Sequence, residues 1–248
     1  MTLKGKTVLV TGGSRGIGKA IALDFAARGA DIAFNYIRSH SAAAETQSEI
    51  EALGVRCLRV RAHLGDSDKI RQLFAEVNAT FGRLDVLVNN AASGVQRSAS
   101  ELEEKHWDWT MNVNAKAPWL CAIEASKLMH DGGSIVNITS QGSLKVLPYY
   151  FSVGTSKAAL ESLTRYLAVE LAPQGISVNA VSGGYVETGA LDYFPNRNSM
   201  MEAGNSTPAG RMVSAEDIAR VVAFLCTEDA AMIRGQVIVV DGGYTLLA

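Results

Sequence analysis

Cysteine, proline and histidine are scarce in this chain of 248 residues, and its charges nearly cancel. The three cysteines, Cys57, Cys121 and Cys226, have no paired spacing, which argues against a disulfide framework or a zinc site. The four histidines (His40, His63, His106 and His130) are equally scattered, so no metal is expected. A formal net charge of -2 gives no electrostatic footprint for nucleic acid or an anionic membrane. No apolar run is long enough to span a bilayer, and the first residues pass into a strand-like run without a signal-peptide pattern. Together these absences suggest a cytoplasmic protein of a reducing compartment. Linkers are missing too: no Pro/Ser-rich tract, low-complexity stretch or internal repeat divides the chain. Residues 1–248 therefore read as one domain.

What the chain does contain is ample apolar material, 48% of its residues, enough for a buried core. Short β-branched runs fall at 7–10, 32–34, 55–60, 84–88, 134–138, 176–181 and 237–240, and segments of helical period separate nearly all of them. That alternation argues for a doubly wound α/β fold, a parallel sheet with helices on both faces. One stretch breaks the rhythm. Residues 188–212 hold Pro195, Pro208, three glycines, and Tyr193, Phe194, Met200 and Met201 among polar residues. A long irregular segment in a compact domain is a functional lid or a disordered loop, and these apolar residues favour a lid over an oily substrate.

The run 11–18, Thr-Gly-Gly-Ser-Arg-Gly-Ile-Gly, joins the first strand to the first helix. Its glycines permit a tight turn and a close backbone approach to a pyrophosphate, which the free amides of the next helix then bind. The end of the second strand selects between dinucleotides. A carboxylate there would hold the ribose hydroxyls and repel a 2′-phosphate. The chain instead reads Asn35-Tyr36-Ile37-Arg38-Ser39, and Arg38 and Arg15 both reach that region. Guanidinium groups suit phosphate, so NADPH is the expected cofactor.

Three further blocks join the glycine run: Asn89-Asn90-Ala91-Ala92, Ser156-Lys157 on a helix, and Val239-Val240-Asp241-Gly242-Gly243. With them the chain resembles the short-chain dehydrogenase/reductase family over essentially its whole length. The resemblance implies a Rossmann-type seven-stranded sheet and a homotetramer built on two long helices and the last strand. It implies cofactor contacts from Gly12, Ser14, Arg15, Gly16, Ile17, Gly18, Arg38, Ser39, His63, Leu64, Asn90, Lys157, Gly184, Val186 and Thr188. Two positions depart from the family pattern. His63-Leu64 replaces a common Asp-Val pair; the imidazole either accepts from the adenine amine or is a satisfied structural histidine. Gly183-Gly184 replaces Pro-Gly, which suggests a more flexible loop beside the nicotinamide, with Thr188 still placed to contact the cofactor.

The resemblance also assigns the reactive centre. Lys157 grips the nicotinamide ribose and lowers the pKa of a nearby phenol. Asn114 matches the family's relay asparagine, with Asn112 a close neighbour, and Ser140 matches the serine that binds a substrate carbonyl. The usual tyrosine, four residues before the lysine, is absent: that position is Val153. Tyr150, seven before Lys157, has the spacing of enoyl-acyl carrier protein reductases. Helical geometry returns both spacings to nearly the same face, with Tyr150 about one turn, roughly 5 Å, further along. Tyr149 points about a quarter-turn away and is expected to pack or to line an acyl channel. Glu101, Glu103 and Glu104 read as a solvated helix start.

Blocks at 90–95, 106–112, 181–184, 208–212 and 232–236 narrow the likeness to NADPH-dependent enoyl-acyl carrier protein reductases of the FabL type. The implied reaction reduces the trans-2 double bond of an enoyl thioester, carried on acyl carrier protein during fatty-acid elongation. Tyr150 would donate to the thioester oxygen, and Ser140 becomes either a ligand or a spectator. Two alternatives stand beside this reading. One is a reductase of 3-oxoacyl thioesters or of sugar or steroid ketones; the other is an NADPH-binding protein without catalysis.

Overall fold

The apolar runs form a single seven-stranded parallel sheet in the computed structural model, which describes residues 3–189 and 197–247. In chain order the strands are β1 (Thr7–Val10), β2 (Asp31–Tyr36), β3 (Cys57–Arg61), β4 (Val86–Asn89), β5 (Gly133–Ser140), β6 (Ile176–Gly183) and β7 (Val237–Val240). Their spatial order is β3-β2-β1-β4-β5-β6-β7. The chain winds outward from β1 in one direction, then crosses back to β4 and winds outward in the other. The reversal leaves a crevice at the carboxyl ends of β1 and β4, where such sheets bind ligands. In-register pairs such as Val8↔Ile32 and Val8↔Val86 fix the central strands.

The strands read as continuous apolar runs because both faces are covered. Helices α1 (Gly16–Ala27), α2 (His40–Ala52) and α8 (Ala215–Leu225) pack on one face, around Phe25, Phe34 and Val222. Helices α3 (Ser67–Phe81), α5 (Ala117–Ser126) and α6 (Phe151–Glu170) pack on the other, around Phe74, Cys121 and Leu167. Successive side chains of β1 divide accordingly: Val8 and Val10 enter the first layer and Leu9 the second. Burial of these side chains stabilises each layer by about 1.5–3 kcal/mol per large residue.

Three features differ from the sequence expectation. β5 and β6 run to Ser140 and Gly183, because polar residues such as Thr139 and Ser182 continue the ladder past the apolar run. Helix α4 (Glu104–Met111) passes through a π-helical turn, Asn112–Lys116, into α5. Pro118 follows that turn and has no N–H to give the carbonyl one turn back, so a shifted hydrogen-bond pattern accommodates it. Within 188–212, Arg197–Asn205 forms a helix, α7, whose Met200 packs with Met212 and Tyr185. Residues 190–196, including Tyr193, Phe194 and Pro195 of the expected lid, lie outside the described residues. Among the described residues no helix is long and apolar enough to cross a membrane.

Candidate active site

Thr11, at the end of β1, ties the two halves of the crevice together. Its hydroxyl donates to the Val88 carbonyl at 3.3 Å and accepts from the Asn90 and Ala91 amides at 2.9 and 3.0 Å. Two side-chain amides then hold the glycine loop from opposite sides. Asn90 Nδ2 donates to the Thr11 carbonyl at 2.9 Å, and Asn35 Oδ1 accepts from the Gly12 amide at 2.9 Å. Close packing explains two of the glycines: a Cβ on Gly18 would lie 2.3 Å from the Gly12 carbonyl oxygen, and one on Gly13 2.5 Å from Phe34 Cβ. Gly12 and Gly16 adopt left-handed φ values of 67° and 54°. The α1 N-terminus that follows has no side-chain cap and no acid in its first turn, a setting that suits an anion.

This loop opens onto a cleft of about 690 Å³. Arg15 and Arg38 border it, both exposed, and neither has an acidic partner among the described residues. Asn35 fills the end of β2 with a neutral amide, so nothing there repels a 2′-phosphate. The donor set therefore fits NADPH. Ser14, Ile17, Ser39, Leu64, Gly184, Val186 and Thr188 line the same cleft, as do Gly12, Gly16, Gly18 and Asn90.

Two expectations about this region are corrected. His63 lines the cleft, but its Nδ1 already accepts from the Gly65 amide at 3.1 Å. A neutral imidazole has one acceptor nitrogen; His63 thus has only an N–H left and cannot accept from an adenine amine. Gly183-Gly184 is a site of close approach instead of a loose hinge. A Cβ on Gly184 would lie 2.9 Å from Asp241 Cβ, and the Gly184 amide donates to Val240 O at 3.0 Å. Asp241 is itself anchored, accepting from the Gly243 and Thr245 amides at 2.8 Å each, and burial is opposed by these bonds, which hold its carboxyl below the usual range.

Ser140, Tyr150 and Lys157 also line the cleft. Lys157 is buried, and its Nζ donates to the Ile138 carbonyl at 2.7 Å. Burial lowers its pKa to about 8, with the Glu161 carboxylate acting in the opposite direction. Glu161 lies one turn on along α6, buried, and accepts from the Thr139 hydroxyl at 2.8 Å. Tyr150 sits at the N-cap of α6, one residue before the helix begins, so its side chain is not bound to helical phase. Its phenol is hydrogen-bonded to the Ser140 hydroxyl; burial raises the phenol pKa against that bond, so the lowering expected from Lys157 does not set it. A backbone bridge from Arg97 to Tyr150 and the Trp107–Phe151 ring contact, 5.7 Å between centroids, fix the start of the helix.

Around this centre, Tyr149 and Asn114 are placed differently from the sequence expectation. Val153 is buried, 7% exposed, with its methyl against Gly94, and it does not line the cleft. Tyr149 is 48% exposed, lies off the cleft and has φ of 60°, because the helix starts after it and does not set its phase. Asn114 is fully buried within the π-helical turn, away from the cleft lining. Its amide exchanges bonds with the Ser93 backbone at 2.8 Å and reaches Ser156 Oγ at 3.0 Å, tying the loop after β4 to α6. Sequence reasoning overlooked Asn35, Thr11 and Glu161; the signal was a polar residue inside an apolar strand or helix face.

Sheet, glycine loop and paired hydroxyls beside a lysine define a dinucleotide-dependent oxidoreductase. The family model described as Enoyl-(Acyl carrier protein) reductase matches residues 12–245. The chain is 39% identical to 1-cyclohexenylcarbonyl-CoA reductase of Streptomyces collinus, over 97% of this chain and 87% of that protein. It is 36% identical to 3-oxoacyl-[acyl-carrier-protein] reductase FabG of Staphylococcus aureus, over 96% of this chain and 97% of that one. A short chain dehydrogenase from Burkholderia cenocepacia, solved in complex with NADP, superposes with a TM-score of 0.92 at 35% identity, covering 99% of this chain and 100% of its own. The chain belongs to the short-chain dehydrogenase/reductase family.

Proposed function

We propose that this protein is an NADPH-dependent reductase of trans-2-enoyl thioesters carried on acyl carrier protein, acting in the cytoplasm as a homotetramer in fatty-acid elongation. The observation that carries the reading is the displaced phenol: Tyr150 lines the same cleft as Lys157, while Val153 is buried away from it. The name of the Streptomyces relative describes a thioester conjugated to a ring double bond, which supports the same substrate class. Exposed Tyr166 and Val169 on α6 and Val239 on β7 support self-association.

Arg15 and Arg38 would hold the 2′-phosphate, the α1 amides the pyrophosphate, and Lys157 the nicotinamide ribose. Bound NADPH would supply a hydride to the β-carbon, with a proton reaching the α-carbon afterwards, directly or through water. Negative charge then develops on the thioester oxygen, three bonds from that carbon, and a donor aimed there must sit away from the hydride path. Tyr150 meets the requirement in two respects. Its placement before α6 moves the phenol off the usual position, and burial keeps it protonated and able to donate. Lys157, charged below a pH of about 8, adds positive potential to the same cleft.

A second reading is favoured by one observation. Ser140 is retained and bonded to Tyr150, so a serine–tyrosine–lysine set of the kind a carbonyl reductase uses is also present. The test compares NADPH oxidation with a trans-2-enoyl and a 3-oxoacyl thioester of equal length. Turnover of the enoyl substrate alone supports the proposal; turnover of the 3-oxo substrate alone replaces it with the carbonyl reductase. Tyr150→Phe is expected to lower kcat by about 10²–10³-fold, the cost of removing one oxyanion donor. An unchanged kcat would remove Tyr150 from the reaction.

A further inference from the structure

We infer that Gly142 is the positioning residue that makes the Tyr150 placement usable; this rests on Tyr150 being the donor of the proposed reaction. Glycine is not required at 142 by the backbone, since its φ is not positive. The constraint comes from the tyrosine ring. A Cβ built on Gly142 would lie 2.6 Å from both Cδ1 and Cε1 of Tyr150, well inside van der Waals contact, so the ring lies against the glycine Cα. The same residue also reaches the other hydroxyl of the pair: the Gly142 amide donates to Ser140 Oγ at 3.2 Å. Gly142 thus contacts Ser140 through its N–H and Tyr150 through its missing side chain.

Gly154 supports Gly142 from below. It lies inside α6, where glycine weakens a helix, yet a Cβ there would come within 2.6 Å of the Gly142 carbonyl oxygen. Two glycines with no conformational reason to be glycine therefore stack between the helix and the ring. Gly154 lets the turn after β5 approach α6, and Gly142 lets the phenol lie over that turn to meet Ser140. A side chain at 142 moves the ring by about 1 Å, a displacement that costs about 10²-fold in rate when it misplaces a reacting group.

The test is a double-mutant cycle on the full-length protein, run with whichever thioester the wild type reduces. Gly142→Ala is expected to lower kcat by about 10²-fold with NADPH affinity within about twofold. Added to Tyr150→Phe, it should cost no further activity, because both changes remove one interaction. An equal loss in both backgrounds would show a general structural role and overturn the inference. A second readout needs no turnover: the ring-carbon NMR signal of Tyr150, assigned through Tyr150→Phe, is expected to titrate above the ordinary tyrosine range in the wild type, because burial raises the phenol. Gly142→Ala, or Gly154→Ala should the first variant not fold, is expected to move it further up, because the displaced phenol loses the Ser140 bond that opposes the rise. An unmoved titration overturns the inference whatever the substrate. A wild type active only on the 3-oxo substrate overturns the proposed function and leaves the glycine inference to stand or fall on the titration.

Discussion

Lys157→Met should make the cofactor-free protein more stable near neutral pH while abolishing its activity. Burial brings the lysine from a pKa of 10.5 down to about 8, so the folded state holds its ammonium at a cost of about 3 kcal/mol. Below pH 8 both the folded and unfolded chains are protonated there, and the full cost applies. Between about pH 8 and 10.5 the unfolded chain still binds the proton that the folded chain has released, so stability rises with pH. Above that window the penalty is gone. Methionine replaces the stem with an apolar chain of similar length, and it loses the bond to the Ile138 carbonyl, about 1 kcal/mol. The attraction to Glu161 is already contained in that cost, since it opposes burial in setting the lysine pKa. The net expectation is a stabilisation of about 1–2 kcal/mol at pH 7 that becomes a loss of about 1 kcal/mol at the alkaline end. Urea denaturation of wild type and variant at both pH values measures it. An identical difference at the two pH values, or a variant less stable at pH 7, would refute the claim that the charge is costly where it sits.

Two further predictions follow from geometry. Tyr149→Gly removes a bulky residue from the left-handed region, where non-glycine residues cost about 1–3 kcal/mol, and is expected to raise the urea midpoint by an amount equivalent to about 1 kcal/mol after the entropy of glycine is subtracted. Arg38→Glu places a carboxylate beside the proposed 2′-phosphate site; NADPH affinity should fall by about 10²-fold or more and NADH affinity rise, as read by nucleotide fluorescence titration. Equal losses for both nucleotides would mean that Arg38 does not read the phosphate.

The sheet was legible because parallel strands covered on both faces leave uninterrupted apolar runs, as at Val8-Leu9-Val10 and Val86-Leu87-Val88. The glycine loop was legible because its spacing is imposed by backbone contacts such as Gly18 on Gly12. What escaped was set by single local bonds. Nothing in composition says that His63 Nδ1 is taken by the amide two residues on. Gly183-Gly184 looked like freedom, whereas Gly184 admits Asp241 and Gly183 packs on Val186 and Ile218. Helix α7 was hidden because Arg197–Asn205 is mostly polar and lies in a proline- and glycine-bearing stretch. The spacing of Tyr150 to Lys157 was readable, but the placement of the phenol was not: Tyr150 precedes the helix, and its ring lies against a distant glycine.

Val153 and Gly94 limit which substitutions position 153 admits. A Cβ on Gly94 would stand 2.3 Å from a Val153 methyl, so a larger side chain pointing the same way from 153 cannot enter without moving the loop after β4. That loop is bonded through Ser93 to Asn114 and so to the helix beneath. Placing a tyrosine at 153 therefore demands a coordinated change in three segments. Val153→Tyr alone is opposed by packing, whatever substrate the protein takes.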